Sequence, residues 1–139
     1  MKVVRAVFDT NIYVSAIMYG GTPEKVIRLV KSGCAKVYIS PFIQNEIAIT
    51  LKRKFNLTGG IIESTLREID RLTEHLSPES SINVIKADPS DNRILEVAES
   101  ARADYIVSGD KHLLQLKKFG RCKIVLSRDF YRLFEKESG

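Results

Sequence analysis

The sequence is poor in the residues that build disulfide frameworks and zinc centres. Its 139 residues include two cysteines, Cys34 and Cys122, set in neither a Cys-x-x-Cys pair nor a dense pattern. They are expected to be reduced thiols packed near strand starts. The two histidines, His75 and His112, are isolated and lack ligand spacing, which argues against zinc. His112 is expected at a solvated helix start. Long apolar runs are missing too. The longest near the N-terminus, Val3 to Phe8, is interrupted by Arg5 and falls far short of the ~20 residues that cross a bilayer. That segment carries no signal-peptide cleavage pattern, so the expected location is the cytoplasm, with no membrane partner. Repeats, low-complexity stretches and long linkers are also lacking, and residues 1–139 are expected to form one domain.

What is present is ordinary for a globular chain. Apolar residues make up 44% and charged residues 28%, which argues against disorder and against a coiled coil. Lys and Arg total 22 against 17 Asp and Glu, a formal charge of +5. That balance favours polyanionic partners, as an association argument rather than a structural one.

Short β-rich apolar runs alternate with longer segments of helical period. Val3-Val4-Arg5-Ala6-Val7-Phe8 is almost continuously apolar, as a strand buried on both faces is. Val37-Tyr38-Ile39, Ile82-Asn83-Val84-Ile85, Tyr105-Ile106-Val107 and Lys123-Ile124-Val125-Leu126 are the second to fifth expected strands. Helical signals fill the gaps. Pro23 opens a segment with Val26, Ile27 and Val30 on one face, closed by Gly33. Ser40-Pro41 pairs an N-cap with proline at the first helical position, and Ile43, Ile47 and Leu51 follow at intervals of four. Asp88-Pro89 repeats that signature ahead of Ile94, Leu95, Val97 and Ala98. Ile62, Leu66, Ile69 and Leu72 form another stripe, and Phe130, Leu133 and Phe134 share a face near the C-terminus. Strands alternating with helices predict an α/β fold whose parallel sheet is covered on both faces. Ligands bind such sheets beyond the carboxyl ends of the strands, at a topological switch point.

Acids stand at those ends. Asp9 follows the first strand, Glu46 lies on the helix after the second, Asp88 and Asp91 follow the third, and Asp110 follows the fourth. Each has a local explanation. Asp9, Asp88 and Asp110 suit helix caps, Asp91 a capping-box exchange, and Glu46 an early helical position. Asp104 reads as structural, and Asp129 as the cap of the last helix. Together they say more. Four converging carboxylates repel one another unless they take up protons or cations. An all-oxygen set suits Mg²⁺ or Mn²⁺.

These residues resemble the PIN-domain family of ribonucleases. The resemblance rests on Asp9-Thr10-Asn11, on Glu46, on Asp88-Pro89-Ser90-Asp91-Asn92, and on the run Ala103-Asp104-Tyr105-Ile106-Val107-Ser108-Gly109-Asp110-Lys111. It covers nearly the whole chain and is strongest toward the toxin-type branch that includes the VapC toxins. It implies a three-layer α/β/α fold with a parallel five-stranded sheet in the order 3-2-1-4-5. The acidic site then falls on Asp9, Glu46, Asp91 and Asp110, with Thr10, Asn11 and Ser108 as auxiliary polar residues. Further implications are Mg²⁺- or Mn²⁺-dependent cleavage of RNA, a homodimer, and a small antitoxin protein that blocks the acidic site. Candidate RNA-binding cations are Lys52, Arg53 and Lys54, at the far end of the Glu46 helix, with Arg93, Lys111, Lys117 and Lys118. Tyr13, Phe42 and Tyr105 are expected in the core rather than stacked on bases.

Three other assignments compete. A phosphotransferase of the haloacid-dehalogenase type also begins with an aspartate after the first strand, but wants a second aspartate where this chain has Asn11. A non-catalytic module would use the acids for a structural ion or a partner. A housekeeping RNA-processing nuclease would share the same site chemistry as a toxin. The Ile62–Leu72 stripe fits either the core or a dimer interface.

Overall fold

The computed structural model describes the backbone of residues 3–138 and the side chains of residues 3–135. The chain runs β1 (Val4–Phe8), α1 (Thr10–Tyr19), α2 (Gly21–Lys31), β2 (Ala35–Ile39), α3 (Pro41–Phe55), α4 (Gly59–Leu72), β3 (Thr73–His75), α5 (Asp91–Ala101), β4 (Tyr105–Val107), α6 (Lys111–Leu116), β5 (Lys118–Phe119), β6 (Cys122–Val125) and α7 (Ser127–Ser138). The sheet order is β3-β2-β1-β4-β6-β5. Every pairing is parallel except that of β5 with β6.

The apolar run at β1 sits at the centre of this sheet. Ala6, Val7 and Phe8 are fully buried. Successive strand residues point to opposite faces, so both faces are covered. On one face, the rings of Phe8 and Tyr105 meet Phe130 of α7 at 5.9 and 5.7 Å. On the other, Arg5 donates to the Ala101 carbonyl of α5. The three-layer expectation holds. α3 shows how the stripe builds it: Ser40 accepts a hydrogen bond from the Ile43 N–H, Pro41 follows, and Ile43, Ile47 and Leu51 are fully buried. Each such side chain contributes about 1.5–3 kcal/mol. Between α1 and α2 the chain turns on Gly20 and Gly21 at φ 73° and 65°, a left-handed pair that residues with a Cβ adopt at a cost.

The expected order of five strands is present, but its third member is a different segment. Residues 82–85 form no strand; the edge strand is Thr73–His75, paired with β2. The N–H groups of Ile82, Val84 and Ile85 are taken by side chains of α5 instead of a neighbouring strand. A sixth strand, β5, adds an antiparallel edge. Helix α5 starts at Asp91, after a lead-in turn in which Asp88 Oδ1 accepts from the Ser90 N–H and hydroxyl at 3.2 and 2.6 Å. Asp88 therefore holds this turn rather than capping the α-helix directly. Asp129 lies in the first turn of α7 and not at its cap. Cys122 is buried and Cys34 exposed, both free, so only one thiol is packed. In α4, Ile62 and Ile69 are buried and Leu66 packs against the core, which assigns that stripe to the interior. Among the described residues no helix is long and apolar enough to cross a membrane.

Candidate metal centre

Asp9 is the residue after β1, and Asp110 lies three residues after β4. The two strands pair directly, Phe8 opposite Val107. The ladder continues past both strand ends: Asp9 N–H donates to the Val107 carbonyl at 2.9 Å, and Ser108 N–H to the Val125 carbonyl at 3.0 Å. Parallel register thus fixes the backbones of Asp9 and Ser108 side by side. Ser108, fully buried, joins the two acids. Its hydroxyl donates to Asp9 Oδ2 at 2.7 Å and accepts from the Asp110 N–H at 2.9 Å. Thr10 N–H holds the other Asp9 oxygen at 2.8 Å, and His112 N–H holds Asp110 Oδ1 at 3.0 Å. Both acids are N-caps, of α1 and α6. Asp91 is the first residue of α5. Three helix N-termini, with their partial positive charge, therefore face the acids.

Asp9, Asp91 and Asp110 each offer a carboxylate oxygen within 4.8 Å of the others. Asp9 and Asp91 are buried. Asp91 Oδ2 is buried without a hydrogen-bond partner. The electrostatics follow. Burial raises the carboxyl pKa of Asp9 against the lowering effect of Ser108 and Thr10, and the charges of Asp110 and Glu46 raise it further. Asp91 is pushed up to about 8, first by burial, then by its hydrogen bond with Asp110 and the charges of Asp110, Asp88 and Asp9. Glu46 is half-buried on α3 and stands outside the three-acid group, though close enough for its charge to act on Asp9.

The donor set fits a hard cation. Ligand oxygens around Mg²⁺ lie about 3–4 Å apart in an octahedron, so small rotations bring these three carboxylates to that spacing. An orphaned buried oxygen and a raised pKa are what such a set displays without positive charge. Asp9, Asp91 and Asp110 would hold the ion, with Glu46 at its edge.

The remaining candidates fall elsewhere. Thr10 touches the site through its N–H, while Asn11 is exposed on α1. Lys52, Arg53 and Lys54 are exposed in the last turn of α3, and Lys111 is exposed beside Asp110. Arg93 is engaged internally, with the Ile82 carbonyl at 3.0 Å and Glu96 at 2.8 Å. Tyr13 is buried against Phe8. His112 lends its N–H to Asp110 at the helix start, as expected. Asp104 is structural, accepting from Arg5 N–H and pairing with Arg121. Asn92 and Glu96, both buried, were not singled out in the sequence. Their signal is polar residues four apart among Ile94, Leu95, Val97 and Ala98.

Fold and site together define an α/β protein with an all-carboxylate, cation-ready centre at the switch point of its sheet. The PIN domain family model matches residues 5–112, more than half of the chain, and the chain belongs to that family. PIN domains are generally nucleases that use divalent metal ions. No curated protein matches the chain.

Proposed function

We propose that the protein is a Mg²⁺- or Mn²⁺-dependent endoribonuclease and the toxin component of a toxin–antitoxin system. The observation that carries the nuclease assignment is the Asp9–Asp91–Asp110 cluster with its partnerless Asp91 oxygen. A divalent cation there supplies charge neutralisation at a scissile phosphate and a water of lowered pKa. The chain's own part is to hold the ligands still. Ser108 and the Thr10 N–H orient Asp9. The His112 N–H orients Asp110. Burial and the neighbouring acids raise the Asp91 carboxyl pKa, so the cluster resists full ionisation until positive charge enters it. Glu46 helps orient the attacking water. Lys111, Lys52, Arg53 and Lys54 hold the RNA backbone. Arg93 is left out of that set because Glu96 and the Ile82 carbonyl occupy it.

The toxin assignment rests on the resemblance of the motifs to that branch. It brings a small antitoxin protein covering the acids, and a homodimer. The decisive experiment is cleavage of single-stranded RNA by the pure protein with added Mg²⁺ or Mn²⁺. The expected result is cleavage that a chelator abolishes and that Asp110→Asn slows by roughly 100-fold or more, equivalent to about 2.7 kcal/mol. Equal rates for folded Asp110→Asn and wild type would remove the site from the chemistry.

A further inference from the structure

The end of the sheet opposite the acids is basic. An open cavity of about 450 Å³ there is lined by Val3, Arg5, Lys36, Arg102 and Arg121, with no acid among the lining residues. Arg5 and Lys36 are register partners on β1 and β2. They lie side by side on one face, about 4.8 Å apart, an unfavourable placement for like charges. Two acids meet these cations. Lys36 is 3.9 Å from an exposed Glu74, and Arg121 pairs with Asp104. The Arg5 guanidinium lies over the Tyr38 ring. Arg102 has no ion-pair partner among the described residues. It also occupies the left-handed C-cap of α5, at φ 53° and ψ 48°, a position suited to glycine. The arginine there costs backbone strain and supplies charge to the cavity.

A second cavity, of about 360 Å³, shares Arg102 and Arg121 and adds Phe119, Gly120, Ala98 and Glu99 to its walls. Arginines flanking a partly apolar, aromatic-edged hollow match alternating phosphate and base, whereas an acidic peptide would need only the charge. Asp9 directly follows β1, four residues after Arg5, so the two ends are separated by about 13 Å. That line runs through the buried core, so an RNA strand joining the two ends passes around the covering helices and is longer than a trinucleotide held at the acids.

We propose that this basic edge is a second RNA-binding site, taking the phosphate backbone of the strand beyond the segment that is cut. It deepens the nuclease assignment and rests on it for the identity of the ligand. The variants to use are Arg102→Gly, which removes charge while relieving the left-handed strain, and Arg102→Gly with Lys36→Gln. Neither breaks the Arg121–Asp104 pair. Binding of fluorescent single-stranded RNA of about 20 nucleotides, a length above common single-strand site sizes, is measured by anisotropy in chelator across a salt series. The double variant is expected to bind on the order of tenfold more weakly and to lose roughly 1.4 from the log–log salt slope, 0.7 per phosphate contact. Glu99→Gln is expected to bind more tightly. Trinucleotide cleavage in Mn²⁺ is expected to be unchanged in all three. Unchanged affinity and slope in the folded double variant would overturn the proposal. So would RNA that fails to bind where polyglutamate binds, which would assign the edge to an acidic protein. A chain that binds RNA through this edge and cuts none would overturn the nuclease assignment alone.

Discussion

One turn of α5 carries two opposite treatments of a buried polar group. Asn92 accepts from the N–H groups of Val84 and Ile85 at 3.0 and 2.8 Å, and donates to the carbonyls of Ile85 and Pro89 at 2.8 and 3.1 Å. Glu96, a turn further on, accepts from Ile82 N–H and pairs with Arg93. Asp91, the neighbour of Asn92, keeps an oxygen buried with no partner and two other acids beside it. The first pair fastens a strandless loop to the core. The third residue weakens the fold where it stands. Satisfied polar groups in an interior hold structure, while an unsatisfied one marks a place prepared for something else.

The sharpest way to break the comparison is Asp91→Asn. It removes a cation ligand and supplies N–H donors to the carboxylates around it. Cleavage is expected to fall roughly 100-fold or more, and the folded chain without metal to gain about 1–3 kcal/mol. Thermal melting and a cleavage assay on the same preparation read the two signs, and a loss of both would place Asp91 with Asn92 as structural. Asn92→Ala is expected to do the reverse. It leaves the Val84 and Ile85 N–H groups and the Ile85 carbonyl without the partner Asn92 gave them, costs about 2–3 kcal/mol in denaturant unfolding, and leaves Mn²⁺ affinity in the folded protein unchanged.

A third effect is in pH. The Asp91 carboxyl ordinarily titrates at 3.8 and is raised to about 8 in the folded chain. The folded state therefore binds that proton more tightly. Its stabilising contribution is complete below about pH 4 and is lost as pH rises through about 8. Asp9 is shifted in the same direction. Metal-free protein is expected to lose stability across that window, with a flatter profile for Asp91→Asn and for the Mn²⁺-loaded protein. Parallel profiles in all three would deny that the cluster strains the fold.

The same contrast separates what was legible in the sequence from what was not. Ile43, Ile47 and Leu51 recur every four residues and are fully buried, because an apolar stripe of that period has one way to dry itself. Asp9 and Asp110 follow apolar runs, and parallel pairing of those runs brings them together. Residues 82–85 look like a strand because Ile and Val favour one, yet their N–H groups go to side chains. Propensity describes a residue and not who takes its hydrogen bonds. Thr73–His75 went unseen for the converse reason: its residues are polar and largely exposed, and backbone pairing with β2 alone makes it a strand. Glu46 was grouped with the other acids by its place in the chain. It stands outside the close set, near enough only for its charge to act on Asp9.

The ladder bonds that run one residue beyond β1 and β4 have a consequence in time. Loops that carry chemistry commonly open and close far more often than the core beneath them. Here the Asp9 amide is bonded across β1 and β4 and the Ser108 amide across β4 and β6, so their hydrogens exchange with solvent only when those strand pairs part. The acids keep their spacing between one encounter and the next. An arriving ion meets a frame already set, and the order it would otherwise have to impose was established when the chain folded.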